Sequence, residues 1–253
     1  MNKIALITGA SSGIGEATAY RLAKENYDLI VTARRAEKIG ELKNYLEDKY
    51  GIRVLPLCFD VRNQEEVSAH LGNLPGDWKN IDLLVNNAGL ASGLTPLQDG
   101  DIEDWEKMID TNIKGLLYVT RAIAPGMKER RKGHIVNLSS IAGKEAYPNG
   151  NVYCGTKHAV EAIGKGMRMD LLPYGVKVTQ ICPGAVETEF SIVRFHGDKE
   201  RADKVYQGFQ PLRPEDIADA ICYVVSLPAH VCINDMLIMP TAQANATLFH
   251  REE

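Results

Sequence analysis

A chain of 253 residues with 45 % apolar and 25 % charged side chains has enough apolar content for a large core in one or two domains. A net charge of −4 excludes a global basic field for nucleic acid, and no apolar run reaches the ~18 residues of a membrane span. The five cysteines are widely spaced without a CxxC pair, which predicts a cytoplasmic chain with neither a zinc site nor a disulfide framework.

Short apolar runs alternate with longer amphipathic patterns along the chain. The runs are apolar at consecutive positions, which is typical of strands buried on both faces. The first run leads straight into glycines and is therefore interpreted as a strand, not as a signal peptide. The predicted strands cover residues 4–8, 29–33, 54–59, 81–85, 134–138, 176–181 and 236–239. The predicted helices cover residues 14–26, 37–50, 64–74, 104–130, 152–174 and 214–227.

This alternation predicts an α/β fold with one doubly wound, Rossmann-like parallel sheet and helices on both of its faces. Because the sequence contains no internal repeat or linker, residues 1–253 are expected to form a single domain. Two segments lack a regular pattern, residues 91–100 and 188–211, and the second is long enough to form a lid. Ligands of such sheets bind beyond the carboxyl ends of the strands, so the motifs at those ends carry the functional prediction.

The first predicted strand is followed by TGASSGIG, in which glycines at positions 9, 13 and 15 precede a helix. Glycines let the backbone turn tightly and approach a pyrophosphate, and the N-terminus of the following helix attracts its charge. The alternative is an ordinary turn between strand and helix, which does not need three glycines. The loop therefore predicts a dinucleotide site with contacts at Gly9, Ser11, Ser12, Gly13, Ile14 and Gly15.

The second predicted strand ends in VTARR, with Arg34 and Arg35 near the position where NAD-dependent proteins of this architecture place an acid. The sequence has no carboxylate at this position that would repel the 2′-phosphate of NADP. Guanidinium groups, in contrast, bind phosphate through charge-assisted, bidentate hydrogen bonds. The sequence therefore predicts NADP(H) as the cofactor. In the alternative interpretation, the two arginines are exposed residues at the start of a helix.

Tyr153 precedes Lys157 by four residues in NVYCGTKHAV, which places both on one face if the segment is helical. The same spacing is common on the surface of any amphipathic helix, so the surrounding motifs decide its meaning. These motifs are TGASSGIG (8–15), DV (60–61), NNAG (86–89), DTNIKG (110–115), IVNLSS (135–140) and PGAVET (183–188). Together with the tyrosine and lysine they resemble, in order and spacing, the short-chain dehydrogenase/reductase family over essentially the whole chain.

The resemblance implies a catalytic tetrad of Asn112, Ser140, Tyr153 and Lys157. The tyrosine would act as general acid during carbonyl reduction and as base in the reverse direction. A nearby ammonium favours the phenolate, so we expect Lys157 to lower the pKa of Tyr153 below its usual value of about 10. Ser140 would hydrogen-bond the substrate oxygen, and Asn112 would support a water path from Lys157 to solvent.

Further cofactor contacts follow from the same resemblance. Asp60 and Val61 would border the adenine, and Lys157 would hold the nicotinamide ribose. Other contacts are implied at Asn87, Ala88, Gly89, Tyr153, Pro183, Gly184, Val186 and Thr188. No cluster of histidines and carboxylates has metal-ligand spacing, so no catalytic metal is predicted. The family commonly pairs the helices at 104–130 and 152–174 across a two-fold axis, which implies a homotetramer, with a homodimer as the second alternative.

Several segments, including PNGNVYCGTK and SIVRFHGDKERADKVYQ, resemble the subgroup of NADP-dependent 3-hydroxy acid dehydrogenases. That subgroup acts on serine and allo-threonine and also reduces malonic semialdehyde, the carbonyl form of 3-hydroxypropionate. Sulfoacetaldehyde reductases resemble the same subgroup. The loop PGAVETEF is one residue shorter than the corresponding loop of the hydroxy acid enzymes, so the choice between these substrates stays open.

Both kinds of substrate are small carbonyl compounds with an anionic group, which calls for a cation in the pocket. Arg194 in the predicted lid is the candidate, with an exposed or interface arginine as the alternative. Ser140, Tyr147 and Asn151 are further candidates for substrate contacts, and structural roles at the helix start are the alternative for the last two. The rival functions are a reductase of another polar aldehyde or ketone and, more distantly, a non-catalytic NADP(H)-sensing protein.

Overall fold

Across residues 2–252, which the computed structural model describes, seven parallel strands form one sheet in the order β3-β2-β1-β4-β5-β6-β7. The strands are β1 (Ile4–Thr8), β2 (Asp28–Ala33), β3 (Val54–Cys58), β4 (Ile81–Asn86), β5 (Gly133–Leu138), β6 (Val176–Pro183) and β7 (Asp235–Ile238). Each strand coincides with a predicted apolar run to within two residues at either end. The predicted doubly wound α/β fold is confirmed.

The α-helices follow the predicted alternation, with additions in the lid. They are α1 (Gly13–Lys24), α2 (Ala36–Tyr50), α3 (Gln64–Leu71), α4 (Ile102–Ile109), α5 (Leu116–Arg130), α6 (Asn151–Leu171), α7 (Phe190–Arg194), α8 (Lys199–Lys204) and α9 (Pro214–Ser226). Among the described residues, none of these helices is both long and apolar enough to span a membrane.

Both faces of the sheet are covered because successive strand residues point to opposite sides. Leu29 and Val31 of β2 pack with α1, α2 and α9 in one core cluster. Ile30, between them, packs with α3 and α5 in the cluster on the other face. All three side chains are fully buried, which explains why the strands are apolar at consecutive positions instead of alternating.

The prediction of one helix over residues 104–130 is wrong, because α4 and α5 are joined by a π-helical segment, Asp110–Gly115. This segment packs against the end of the third strand, where a Cβ atom on Gly115 would lie 2.8 Å from Val61 Cγ2. The segment DTNIKG contains no proline or turn motif that separates α4 from α5, so the sequence does not reveal the π-helical turn. Such turns occur frequently at functional sites.

The C-terminal segment folds back onto the lid, which contains α7 and α8. The Phe249 ring packs on Phe209 with 5.1 Å between the ring centres. The main-chain N–H of Glu252 donates to Gly208 O at 2.7 Å, and Gln243 pairs with Phe249 in an isolated β-bridge. The segment therefore belongs to the walls around the carboxyl ends of the strands.

Candidate active site

The strand order reverses at β1 and β4, and this reversal leaves a crevice beyond the carboxyl ends of the two strands. A cavity of about 600 Å³ opens there. Its walls come from the loop after β1, the ends of β2 to β6, the lid and the C-terminal segment. The cavity thus lies where open α/β sheets bind their ligands.

The glycine loop after β1 is held closely against the end of β4. Gly9 has a φ of +67°, and a Cβ atom there would lie 3.0 Å from Asn87 Nδ2. The Asn87 amide donates to the main-chain oxygens of Thr8 and Gly9 at 2.8 and 3.2 Å. Gly15 packs behind this contact, outside the cavity. The predicted loop residues that line the cavity are Gly9, Ser11, Ser12, Gly13 and Ile14.

The two arginines after β2 have different surroundings. Arg35 donates to the Ser12 hydroxyl at 2.7 Å and to Glu189 of the lid at 3.1 Å. Arg34 is 63 % exposed and lies 4.0 Å from the Asp60 carboxylate. Arg34 is therefore the guanidinium that is available to a ligand phosphate, whereas Arg35 ties the glycine loop to the lid.

Asp60 and Val61 line the cavity at the end of β3, as predicted. Burial alone would raise the pKa of Asp60, but hydrogen bonds from Arg62 lower it below its usual value. The shortest of these bonds joins Arg62 Nη2 to Asp60 Oδ2 at 2.7 Å. Asp60 thus stays ionised with its charge balanced by Arg62. The other predicted cofactor contacts that line the cavity are Asn87, Ala88, Gly89, Pro183, Gly184, Val186 and Thr188.

Three members of the predicted tetrad meet at one wall of the cavity. Tyr153 and Lys157 lie one turn apart on α6, and both are buried. Lys157 Nζ donates to Leu138 O at 2.8 Å and lies 5.9 Å from the centre of the Tyr153 ring. Ser140 follows β5, accepts a hydrogen bond from the Ala142 N–H at 3.1 Å and donates one to Pro183 O at 3.4 Å. Its hydroxyl lies close enough to the Tyr153 phenol to act on its pKa.

The pKa values of this pair differ from the expectation. Burial raises the pKa of Tyr153 above its usual value, and the nearby Tyr147 acts in the same direction. The Ser140 hydroxyl and the Arg194 charge lower it, but burial dominates. Burial also lowers the pKa of Lys157 to about 8. In the protein without bound cofactor, the expected lowering of the Tyr153 pKa by Lys157 is therefore wrong. Both side chains are buried, and burial disfavours the charged form of each.

Asn112, the fourth member of the tetrad, lies in the π-helical segment and is buried outside the cavity. Its amide nitrogen donates to Leu90 O at 2.8 Å and to Thr156 Oγ1 at 3.0 Å. Its oxygen accepts from the Leu90 N–H at 2.9 Å. The side chain therefore ties the loop after β4 to α6, and the implied water path stays a prediction.

The lid places Arg194 beside the catalytic tyrosine, with 5.7 Å between the guanidinium carbon and the centre of the Tyr153 ring. Arg194 Nη1 donates to the Tyr147 hydroxyl at 3.1 Å, and Nε donates to Gly93 O at 3.3 Å. The buried Nη2 has no hydrogen-bond partner within residues 2–252. A buried charged donor needs an acceptor, which an anionic ligand in the cavity would supply.

The other predicted substrate residues divide into two groups. Ser140 and Tyr147 line the cavity together with Arg194. Asn151 lies outside it, where its amide donates to Thr95 O at 3.0 Å and its oxygen accepts from the Val152 N–H at 2.7 Å. Both ends of the Asn151 side chain are thus bonded at the start of α6, as its structural alternative requires, and a substrate contact by Asn151 stays a prediction.

Comparison with known proteins agrees with this geometry. Residues 3–198 match the short chain dehydrogenase family. The chain is 49 % identical over 251 residues to an NADP-dependent 3-hydroxy acid dehydrogenase of Escherichia coli O6:H1, with 98 % of this chain and 100 % of the relative covered. It is 43 % identical over 252 residues to an NADP-dependent 3-hydroxy acid dehydrogenase of Schizosaccharomyces pombe, with 99 % and 97 % covered.

A solved structure, the closed form of serine dehydrogenase complexed with NADP+, matches with a TM-score of 0.92 and 46 % identity, covering 99 % of this chain and 100 % of that chain. The chain belongs to the short chain dehydrogenase family. The predicted family and the predicted class of enzyme, an oxidoreductase acting on CH–OH groups, are therefore confirmed.

This short chain dehydrogenase has cavity residues that its motifs did not indicate. Gln243 and Phe249 reach the cavity from the C-terminal segment. Gln243 Oε1 accepts from the Ala185 N–H at 2.8 Å and so holds the loop after β6. Phe190 of the lid packs edge-on against Tyr153, with 5.6 Å between the ring centres. No motif or periodicity marks these positions, so only the fold reveals them.

A polar cluster around the buried Glu161 joins the segment after Ser140 to α6 and β7 in this short chain dehydrogenase. Lys144, four residues after Ser140, contacts Glu161 of α6 at 2.6 Å and also contacts Asp235 of β7. The Cys182 thiol donates to Glu161 at 3.2 Å. Ligand atoms of Glu161, Cys182 and Asp235 lie within 4.8 Å of one another, but the Lys144 ammonium bonds both carboxylates. The predicted absence of a catalytic metal stays a prediction.

Proposed function

We propose that the chain is an NADP(H)-dependent oxidoreductase that interconverts small anionic 3-hydroxy acids, of the serine, allo-threonine or 3-hydroxypropionate type, with their carbonyl forms. The observation that carries this proposal is Arg194, which lines the same cavity as Tyr153 and whose buried Nη2 lacks an acceptor within the described chain. The relative from Escherichia coli O6:H1, at 49 % identity, carries the name of this cofactor and this substrate class.

NADP(H) is the cofactor, and the residues at the glycine-loop end of the cavity fit it. The main chain at Gly9 lies so close to Asn87 that a Cβ atom on residue 9 would contact the Asn87 amide. This close packing leaves exposed main chain along the cavity wall. The N–H groups in the first turn of α1 suit a pyrophosphate, and the exposed Arg34 suits a 2′-phosphate. When bound, NADPH supplies the hydride for carbonyl reduction.

Tyr153 transfers the proton to or from the substrate oxygen. Its raised pKa keeps the phenol protonated near neutral pH, which is the form that a general acid needs for carbonyl reduction. Ser140, which lines the same cavity as that phenol, donates to the same substrate oxygen as negative charge develops on it. In the oxidative direction the Lys157 ammonium, one turn away, stabilises the phenolate.

Arg194 orients the substrate through its acid group. Two of its nitrogens are occupied by Gly93 and Tyr147, so the remaining Nη2 is the donor left for a carboxylate. The 5.7 Å between the guanidinium carbon and the Tyr153 ring suits a short acid better than a bulky ketone. A sulfonate carries the same charge, so the same arginine supports sulfoacetaldehyde reduction as the second candidate.

The test follows NADPH absorbance with malonic semialdehyde, sulfoacetaldehyde and the uncharged aldehyde propanal, using the wild type and Arg194→Met. We expect one anionic substrate to exceed the other by at least ~100-fold in kcat/KM, about 2.7 kcal/mol of transition-state discrimination. Arg194→Met keeps most of the side-chain volume without the charge. It should lower kcat/KM for the anionic substrate by about 100-fold and for propanal by less than about threefold.

An equal loss with propanal and the anionic substrates would refute the role of Arg194 in binding an acid group. If the wild type turns over neither anionic substrate but still binds NADPH, the function is that of a reductase for a bulkier ketone or of an NADP(H)-sensing protein. Tyr153→Phe provides the blank for each assay.

We also propose that the chain forms a homotetramer, with a homodimer as the second possibility. Apolar side chains that remain exposed on α5 and α6 support this, namely Leu117, Met169 and, just after α6, Leu172. Light scattering coupled to gel filtration should give the mass of four chains, and the mass of one chain would refute the proposal. A cytoplasmic location stays a prediction.

A further inference from the structure

A second set of polar contacts surrounds Arg194 outside the cavity, and its centre is Asp104 of α4. Asp104 is buried and accepts a hydrogen bond from the Ser92 hydroxyl at 2.6 Å. Its other carboxylate oxygen lies 3.1 Å from His196 Nε2. Ser92 belongs to the loop after β4 and His196 to the lid, so one carboxylate joins two segments that are separated by about a hundred residues in the sequence.

These two segments also meet directly at Arg194. The Gly93 N–H donates to Arg194 O at 2.9 Å, and Arg194 Nε donates to Gly93 O at 3.3 Å. Gly93 has a φ of +72°, and a Cβ atom there would lie 2.9 Å from Asp104 Oδ2. The position therefore requires glycine for its backbone conformation and for the close approach of Asp104.

His196 also has an unusual backbone conformation, with a φ of +54° two residues after Arg194. Few residues other than glycine adopt this region, so the surrounding contacts hold it there. The bond from its ring to Asp104 is one such contact. The His196 side chain is 58 % exposed, so this bond alone contributes little, whereas the bond between Ser92 and Asp104 is buried.

We propose that Asp104 is a positioning residue for the acid group of the substrate. Through Ser92, Gly93 and His196 it holds the lid so that Nε and Nη1 of Arg194 bond to the protein and Nη2 is left for the acid group. Asp104 itself does not line the cavity, so it acts through these neighbours and not by touching the substrate. This inference rests on the proposed role of Arg194 and adds the device that sets its orientation.

The principal test is Asp104→Asn, which keeps the size of the side chain but removes its charge and one of its two acceptor oxygens. We expect the KM for the preferred anionic substrate to rise about tenfold, because a small misplacement of a binding group has a large effect on a reaction. The kcat, the KM for NADPH and the kinetics with propanal should each change by less than about twofold. A merely structural role would lower all of these activities together.

The matched control is Asp101→Asn, three residues earlier at the N-terminal cap of α4. Asp101 accepts from the Glu103 N–H at 2.7 Å, and asparagine caps helices equally well. This control removes the same charge from the same helix and should leave every kinetic constant unchanged. Lys107, which lies 3.8 Å from Asp104, is present in both variants.

Two lid variants keep the inference testable if Asp104→Asn folds poorly. Because the His196 bond is exposed, His196→Ala should raise the KM for the anionic substrate by only about two- to threefold, without changing the kinetics with propanal. His196→Gln, which retains a donor, should restore the wild-type value. In an Arg194→Met background, Asp104→Asn should add no further selectivity between the anionic substrate and propanal.

The outcomes separate this inference from the proposed function. If Arg194→Met is selective for the anionic substrate but Asp104→Asn affects both substrates equally or neither, the positioning role is refuted while the proposed function stands. If Arg194→Met shows no selectivity, the proposed function fails, and the inference fails with it.

Discussion

The two ends of the cavity are built in different ways. The cofactor end lies on the rims of the central strands, where main-chain geometry around Gly9 and Asn87 shapes the site. The substrate end is assembled from the lid, the loop after β4, the start of α6 and the C-terminal segment, and side-chain contacts hold it. The cofactor end is formed by the sheet itself. The substrate end depends on contacts between loop segments, which vary more in sequence and conformation than strands do.

The cations at the two ends differ in the same way. Arg34 at the cofactor end is largely exposed, so water and salt screen its charge. Arg194 at the substrate end has a buried donor, and the weaker screening there makes its interaction with an anion stronger. The comparison supports the proposal that the scaffold confers cofactor binding, while a few buried side chains set the choice of substrate.

The largest expected effect comes from Tyr153, which both ends share. Tyr153→Phe should lower kcat about 10³-fold with every substrate, because the proton donor is lost. NADPH affinity, measured by fluorescence titration, should stay within about twofold of the wild type. Residual activity above about a tenth of the wild-type rate would mean that another group transfers the proton.

The next effect concerns the polar cluster in which Lys144 contacts Glu161 of α6 and Asp235 of β7. Lys144→Met leaves the buried Glu161 carboxylate without its main cation, so the free energy of unfolding should fall by about 3 kcal/mol. Urea denaturation monitored by circular dichroism measures this value. Lys144→Met combined with Glu161→Gln should recover part of the loss, and an equal loss in both variants would exclude the unpaired charge as its cause.

A smaller effect is expected at the cofactor end. Arg34→Ala should lower kcat/KM for NADPH about tenfold and leave kcat/KM for NADH nearly unchanged, because only NADPH carries the 2′-phosphate. Arg35→Ala is the matched comparison. It should weaken both cofactors to a similar extent, since Arg35 holds the glycine loop through Ser12. Equal discrimination in the two variants would contradict the separate roles assigned to the two arginines.

The smallest effect is the response to salt. Raising the ionic strength from low to about 0.5 M should increase the KM for NADPH about threefold, because Arg34 is exposed. The KM for the anionic substrate should rise less, because the donor on Arg194 is buried. Steady-state kinetics at a series of sodium chloride concentrations measure both constants, and a steeper dependence for the substrate would reverse the comparison.

The cofactor end could be predicted largely from the sequence, and the substrate end only in part. The glycine loop and the pair Tyr153 and Lys157 stand in short, continuous motifs, so their spacing carries the information. The structure then distinguishes Arg34 from Arg35, because only the contact with Glu189 of the lid shows which of them is engaged. It also removes Asn151 from the cavity, since Thr95 occupies its amide.

The sequence by itself determined the alternation of strands and helices, the doubly wound sheet and the residues at the strand ends, because apolar periodicity and local motifs depend on neighbours along the chain. Only the tertiary structure decided the π-helical turn, the dominance of burial in the pKa of Tyr153 and the Arg194 donor that has no partner within residues 2–252. Each of these features depends on packing against segments that are distant in the sequence and on the water that this packing excludes.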